Sequence, residues 1–167
     1  MSEINEPIAE NVTEPGNGET ETGTTSTSIL NQVVEAVIAL INALSLFATI
    51  RRGAMGTGNC LTCEIGPSTP FTVWLDKNQY IPVDITINGK HDNLQTLSDA
   101  MNTIHESLTM MLDYPTGDKW QITDIATMTE PQIIGRESND WMMASALTVN
   151  VATFTPDPEP PAEQTGE

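Results

Sequence analysis

The sequence predicts an α+β domain with two layers, in which a mostly antiparallel sheet of four to five strands packs against two helices. Four apolar residues alternate with polar ones from Ile81 to Ile87, which is the period of a half-buried strand. From Leu94 to Met111 apolar residues recur every three or four positions, which is the period of an amphipathic helix. A second helix pattern precedes this unit and further strand patterns follow it, so two layers are expected.

The domain is expected to span residues 28–152, between two acidic tails. Residues 1–27 contain six Glu and neither Lys nor Arg, while residues 153–167 contain four acids and four prolines. Neither segment has enough apolar surface to offset the entropy lost on ordering. We therefore expect an acidic N-terminal arm and an acidic, Pro-rich C-terminal tail, both of the disordered type.

A first helix is expected from Ile29 to Leu46 or Phe47, capped by Thr27 or Ser28. The apolar stretch 29–50 is about long enough to span a membrane, but polar or small residues recur along it every three or four positions. This stripe favours a helix packed on a sheet, and the acidic N-terminus is unlike a secretory signal. Arg51 and Arg52 suit the negative end of the helix dipole, although contact with an acidic partner is an alternative.

The next segment contains a glycine-rich stretch and two cysteines. Residues 53–59 are expected to be a connector, because neither a preceding strand nor a closing Lys-Ser/Thr makes them a phosphate loop. Cys60–Ile65 is expected to be a strand. Cys60 and Cys63 have the Cys-x-x-Cys spacing of a redox or zinc site, but an offset of three in a strand places them on opposite faces. Two unpaired cysteines are therefore favoured, with a metal or redox site as the weaker alternative.

The following residues lead into the central strand and helix. Phe71 to Leu75 alternates poorly, so it is either a strand or a loop that projects Phe71 and Trp74 towards a partner. The central strand is expected to stop at a turn formed by residues 88–90. Asp92, with Gln95 three residues later, has the spacing of a capping box and predicts that the helix starts there.

The C-terminal part of the domain is expected to supply the remaining strands. Residues 119–128 read as a strand whose phase shifts between Ile122 and Ile125, as a bulge allows. Residues 131–137 form a short extended piece, and residues 138–140 form a hairpin turn. Residues 141–151 are the clearest closing strand, with Trp141 on its apolar face.

Composition and motifs argue against several classes of function. The chain carries 23 acids and six bases, of which 13 acids and all six bases lie in residues 28–152. So few cations cannot neutralise many phosphates, which argues against nucleic-acid binding and against binding to an anionic membrane. The sequence contains no recognisable motif that pairs a nucleophile with a base or two carboxylates with each other. We therefore expect that the chain is not an enzyme and binds no cofactor.

Two stretches resemble a known family. The path from Ile85-Thr86-Ile87-Asn88-Gly89-Lys90-His91-Asp92-Asn93-Leu94-Gln95 to His105 is similar to the strand, linker and helix of phage minor capsid proteins of the tail-terminator (tail-completion) family. The segment Pro131-Gln132-Ile133-Ile134-Gly135-Arg136-Glu137, with the strand after Trp141, also resembles that family. The resemblance covers residues 29–152. The acidic tails, the very apolar first helix and the Cys-x-x-Cys strand depart from the family pattern.

The resemblance implies a structural virion protein with a tail-terminator-like fold. Such proteins form a ring, usually a hexamer, at the head-proximal end of the tail tube, where they stop tube growth and join head-completion (stopper) proteins. The implied partners are other copies of the chain, the major tail tube protein and the stopper, with DNA passing through the lumen without sequence-specific binding. Another head-to-tail joining protein, and a non-viral binding domain, are the alternatives.

The resemblance also suggests where the contacts lie. The subunit interface is expected at Arg136, Glu137 and Trp141, and the contact with the tail tube at Phe71, Trp74 and Lys77. The location implied is the tail or neck of the virion, with assembly in the host cytoplasm.

Overall fold

The computed structural model describes residues 28–66, 72–73 and 79–154 of the chain. Two helices and seven strands follow one another in these residues. Their bounds are α1 Ile29–Asn42, β1 Ile50–Arg52, β2 Cys60–Ile65, β3 Thr72–Val73, β4 Gln79–His91, α2 Leu94–Thr109, β5 Thr116–Gly117, β6 Trp120–Glu137 and β7 Asp140–Thr153.

The described strands form one mixed sheet. Six of them follow the order β1-β2-β4-β7-β6-β5, and β3 pairs with β4 beside this path. β1 and β2 are parallel, whereas every other described pair is antiparallel. The path curls into a half-barrel. The predicted two-layer fold with four to five mostly antiparallel strands over two helices is therefore wrong.

The error has two physical origins. β1, β3 and β5 are two or three residues long, which is too short for an alternating pattern to be visible in the sequence. Residues 119–128 and 131–137 were read as separate pieces, but they form the single 18-residue strand β6. Its register against β7 shifts at four places, one of them the bulge predicted between Ile122 and Ile125.

The central strand is longer than predicted because it does not stop at residues 88–90. β4 continues to His91, and Gly89 lies directly beneath α2. A Cβ atom at Gly89 would lie 2.6 Å from Cδ1 of Leu97 and 3.3 Å from Sδ of Met101. The glycine therefore lets the helix approach the sheet, rather than forming a turn.

The helix ends differ from the predicted ones for local reasons. α1 ends at Asn42, whose side chain binds the backbone of Ile50: Oδ1 accepts from the amide at 2.8 Å and Nδ2 donates to the carbonyl at 3.4 Å. α2 is capped by Asn93 instead of Asp92, since the Asn93 side chain accepts from the amides of Gln95 and Thr96. Ser28 precedes α1 without a side-chain capping bond.

The core lies between the helices and one face of the sheet. The buried residues of α1 are valines and Ile41, and those of α2 are four residues of the predicted apolar stripe together with Ala100 and His105. They form one cluster with alternate residues of the strands, among them Val83, Ile85 and Ile87 of β4. The indole nitrogen of buried Trp120 donates to Oε1 of Gln32 at 2.8 Å, which ties α1 to β6. We call the opposite face of β4, β7 and β6 the outer face.

Candidate functional site

The tip of the hairpin between β6 and β7 holds the three residues expected at the subunit interface. Arg136 and Trp141 are cross-strand partners, and the Arg136 guanidinium lies 4.8 Å from the centroid of the Trp141 ring. Arg136 Nη2 also donates to Oδ1 of Asn139 at 3.2 Å. Ser138 turns the chain with a positive φ of 54°. These contacts fix the shape of an exposed loop through a cation–π contact and a short turn.

A buried cation joins this tip to the central strand. Lys90 Nζ lies 2.5 Å from Oε2 of Glu137 and 3.7 Å from Oδ2 of Asp140, and only 8% of its side chain is exposed. This contact is not among the predictions, because the Asn88-Gly89-Lys90 stretch has the composition of a turn. The continued alternation Ile85, Ile87, Gly89 was the signal that placed Lys90 in a strand.

The ion pair shifts the pKa values of both Lys90 and Glu137. The hydrogen bond from Lys90, followed by its charge, lowers the pKa of Glu137. The hydrogen bond to Glu137 raises the pKa of Lys90, against the opposing effect of burial. Both groups are therefore charged near neutral pH, and Glu137, one of the predicted interface residues, is already engaged within its own subunit.

The two cysteines lie on the predicted strand β2 but do not come together. Cys63 is buried in the core, and this burial raises the pKa of its thiol although Arg52 opposes the shift. Cys60 is half-buried, with Sγ 4.0 Å from the carbonyl oxygen of Gly56, and both cysteines are free. The described residues contain no group of three His, Cys, Asp or Glu side chains that could hold a metal ion.

Two further expectations concern the tail-tube contact and the membrane-spanning alternative for the first helix. Phe71, Trp74 and Lys77, the predicted tail-tube contacts, lie outside the described residues. Among the described helices, none is long and apolar enough to cross a membrane.

The outer face of the sheet is lined by small and polar side chains. Asp84 accepts a hydrogen bond from Thr148 at 2.7 Å, and Asp124 accepts one from Asn150 at 3.3 Å. Thr86, Asn88, Ala144 and Ala146 continue the same surface. The cation at its end, Lys90, is neutralised by Glu137 and Asp140. This face therefore offers no positively charged surface to a polyanion.

β6 forms a long edge of the sheet. Within the described residues, its outer side pairs with β5 through Trp120 and Gln121, and the amide of Ile122 donates to the carbonyl of Pro115; the strand pairing of its later residues is with β7 alone. Met128, Ile133 and Ile134 expose 59%, 51% and 50% of their surfaces along this edge. A row of free backbone groups beside exposed apolar side chains is the arrangement that accepts another strand.

Comparison with known proteins gives little information on identity. No family model and no curated protein matches the chain. One solved structure that matches is described as the virion of a native gene transfer agent particle, with 13% sequence identity, a TM-score of 0.46, and coverage of 74% of this chain and 91% of that one. A likeness at this level establishes neither the family nor the role of this chain.

Proposed function

We propose that this chain is a structural protein of a phage-like virion, a tail terminator that forms a ring at the head-proximal end of a tail tube. In this role it stops tube growth and joins the tail to the head-completion proteins. Two things support the proposal: the resemblance of residues 85–105 and 131–141 to the tail-terminator family, and the free edge of β6. The edge is the structural observation that carries it.

The edge supports ring formation because it differs from the other end of the sheet. β1, at that other end, is three residues long, and the side chain of Asn42 is hydrogen-bonded to the backbone amide and carbonyl of Ile50. A contact between the β6 edge and a different patch of the next subunit is heterologous, and heterologous contacts form a ring where the rotation between subunits closes. We propose a homohexamer, following the usual stoichiometry of the family.

The predicted interface residues lie at the end of this edge. Arg136 and Glu137 are the last residues of β6, and Trp141 faces Arg136 across the hairpin. The stacked Arg136–Trp141 pair presents a rigid, partly apolar tip, and residues of this kind carry much of the energy of protein interfaces. We therefore keep these three residues as the proposed subunit contact, together with the apolar side chains of β6.

The outer face suits the lumen of such a ring. Its small and polar side chains, with the carboxylates of Asp84 and Asp124, would not attract the phosphates of passing DNA. The tube end of the ring is assigned to the segment that contains Phe71, Trp74 and Lys77, facing the major tail tube protein. The protein would then reside in the tail or neck of the virion after assembly in the host cytoplasm.

The mass of the purified full chain in solution, alone and mixed with the major tube protein, tests the proposal. We expect a ring-sized species, either alone or only on tube ends, and tubes whose growth stops when it binds. A monomer that leaves tube growth unchanged would refute the terminator role. A monomer that instead binds the portal side of the particle would favour another head-to-tail joining protein.

A further inference from the structure

A pocket of about 430 Å³ lies at the β1 end of the sheet, away from the β6 edge. The residues after α1, strand β1, the 53–59 connector and strand β2 enclose it. Its lining includes Arg51, Arg52, Asn59, Cys60 and Thr62. Gly56 of the connector also lines the pocket, and a Cβ atom added there would meet nothing within 4 Å.

The pocket is positively charged in an otherwise acidic protein. Among the described residues, Arg51 and Arg52 form no ion pair with a carboxylate, and Arg52 Nη1 instead donates to Oδ1 of the neutral side chain of Asn31 at 2.9 Å. Both arginines are exposed. Two arginines that line one pocket and pair with no carboxylate of the described residues favour an anionic ligand, since the planar donors of a guanidinium group match carboxylate oxygens.

The wall of the pocket also contains a polar group without a partner. Thr62 is only 5% exposed, and its hydroxyl forms no hydrogen bond within the described residues. Buried hydroxyl groups usually have a partner, which in a pocket is supplied by water or by a ligand.

The acidic N-terminal arm joins the domain beside this pocket. Residues 1–27 carry six Glu and no Lys or Arg, and the chain enters α1 at Ile29. Asn31, in the first turn of α1, is the residue that binds Arg52. The start of α1, to which the arm is covalently joined, therefore lies one helical turn from a contact with Arg52, and an extended chain covers about 3.3 Å per residue, so the arm is long enough to reach the pocket.

We infer that the Arg51–Arg52 pocket binds glutamate carboxylates of the chain's own N-terminal arm. The arm is tethered next to the pocket, so its effective concentration there is high, on the order of millimolar. The contact joins surface charges, so it weakens as ionic strength rises. The inference does not depend on the proposed function, because the contact lies within one chain.

Alkylation of Cys60 in the full chain tests this inference, because Cys60 lines the pocket and an occupied pocket shields it. Glu3, Glu6, Glu10, Glu14, Glu19 and Glu21 are changed together to Gln. Iodoacetamide modification is followed by peptide mass spectrometry at low salt, with buried Cys63 as the internal reference. We expect the rate of Cys60 alkylation to rise about twofold or more, because an arm that occupies the pocket about half of the time halves the exposure of Cys60. The difference should vanish at high ionic strength.

Two matched variants separate docking from a general effect of charge. Changing Asp157, Glu159, Glu163 and Glu167 to their amides removes acids from the other tail, and we expect an unchanged Cys60 rate. In a protein that also carries Arg51→Gln and Arg52→Gln, the arm substitutions should no longer alter the Cys60 rate. Comparing the arm effect with and without the two arginines is a double-mutant cycle, which cancels any direct effect of the arginines on the thiol.

Three results would overturn the inference. They are an arm variant with an unchanged rate, an equal rise on neutralising the C-terminal tail, and protection that grows with protein concentration. The last result would assign the pocket to the arm of another molecule.

Discussion

At the residue scale, Gly89 determines how closely α2 approaches the sheet. Changing Gly89 to Ala places a Cβ 2.6 Å from Cδ1 of Leu97 and 3.2 Å from Cδ2 of Leu61, in a packed core. Relieving such an overlap moves side chains or backbone and typically costs about 1–3 kcal/mol. We expect Gly89→Ala to lower the free energy of unfolding by that amount, measured by urea denaturation.

Gly56→Ala is the matched control for this prediction. A Cβ at Gly56 meets nothing within 4 Å, so we expect unfolding within about 0.5 kcal/mol of the wild type. Equal stability of the two variants would show that the helix can shift over the strand without cost.

A second residue-scale prediction concerns the buried lysine. The Lys90 hydrogen bond lowers the pKa of Glu137 below its usual 4.5, so the folded state binds fewer protons there than the unfolded chain. Stability from this pair is complete above pH 4.5 and is lost as the pH falls through the lower pKa of the folded state. We expect Glu137→Gln to be less stable at pH 7 and to lose less stability between about pH 5 and 3.

Thermal unfolding across this pH range measures the effect. Glu130→Gln is the control, because it removes another exposed carboxylate of β6 that forms no ion pair among the described residues. If the two variants have parallel pH profiles, Lys90 does not hold Glu137 in its charged form.

At the element scale, β6 differs from an ordinary edge strand. Natural edges are commonly protected by charges, proline or bulges, and β6 carries Pro131 and four register shifts. Yet Met128, Ile133 and Ile134 remain exposed on it. Apolar side chains retained on an otherwise protected edge are explained if another subunit covers them.

Ile134→Lys tests the role of this edge. Ile134 lies at a register shift and has no Cα partner in β7, so the substitution should leave the stability of the subunit nearly unchanged. We expect it to abolish the ring-sized species in sedimentation experiments, because a lysine on an edge blocks strand addition. Met110→Lys, at a more exposed apolar residue after α2, should retain the ring. A ring formed equally by both variants would place the interface elsewhere.

At the scale of the whole molecule, charge is distributed unevenly over the sheet. The β1 end carries Arg51 and Arg52, whereas the outer face of the sheet carries the carboxylates of Asp84 and Asp124. This distribution separates a pocket for anions from a surface that repels them. The pocket and the proposed subunit contact are therefore distinct sites.

Much of the element order was predictable, because the spacing of apolar residues within a helix or a longer strand reflects which of its faces is buried. Cys60–Ile65 matches β2, the central four residues of the predicted stripe of α2 are buried, and the bulge after Ile122 is present. Arg136 and Trp141 were correctly placed on neighbouring strands of a hairpin. Lys90 was misread, because an Asn-Gly-Lys stretch has the composition of a turn and only the neighbouring helix shows why its glycine belongs in a strand.

The sequence by itself determined the two acidic tails, the two helices, the longer strands and the scarcity of cations, since these follow from composition and periodicity. The tertiary structure alone decided the mixed sheet of the seven described strands, the burial of Lys90 between Glu137 and Asp140, the edge of β6 that no described strand covers beyond β5, and the Arg51–Arg52 pocket. The physical reason is the distance along the sequence between the residues that interact. Periodicity records what each residue does within its own element, whereas sheet order and ion pairs join residues up to 74 positions apart, as Gln79 and Thr153 show.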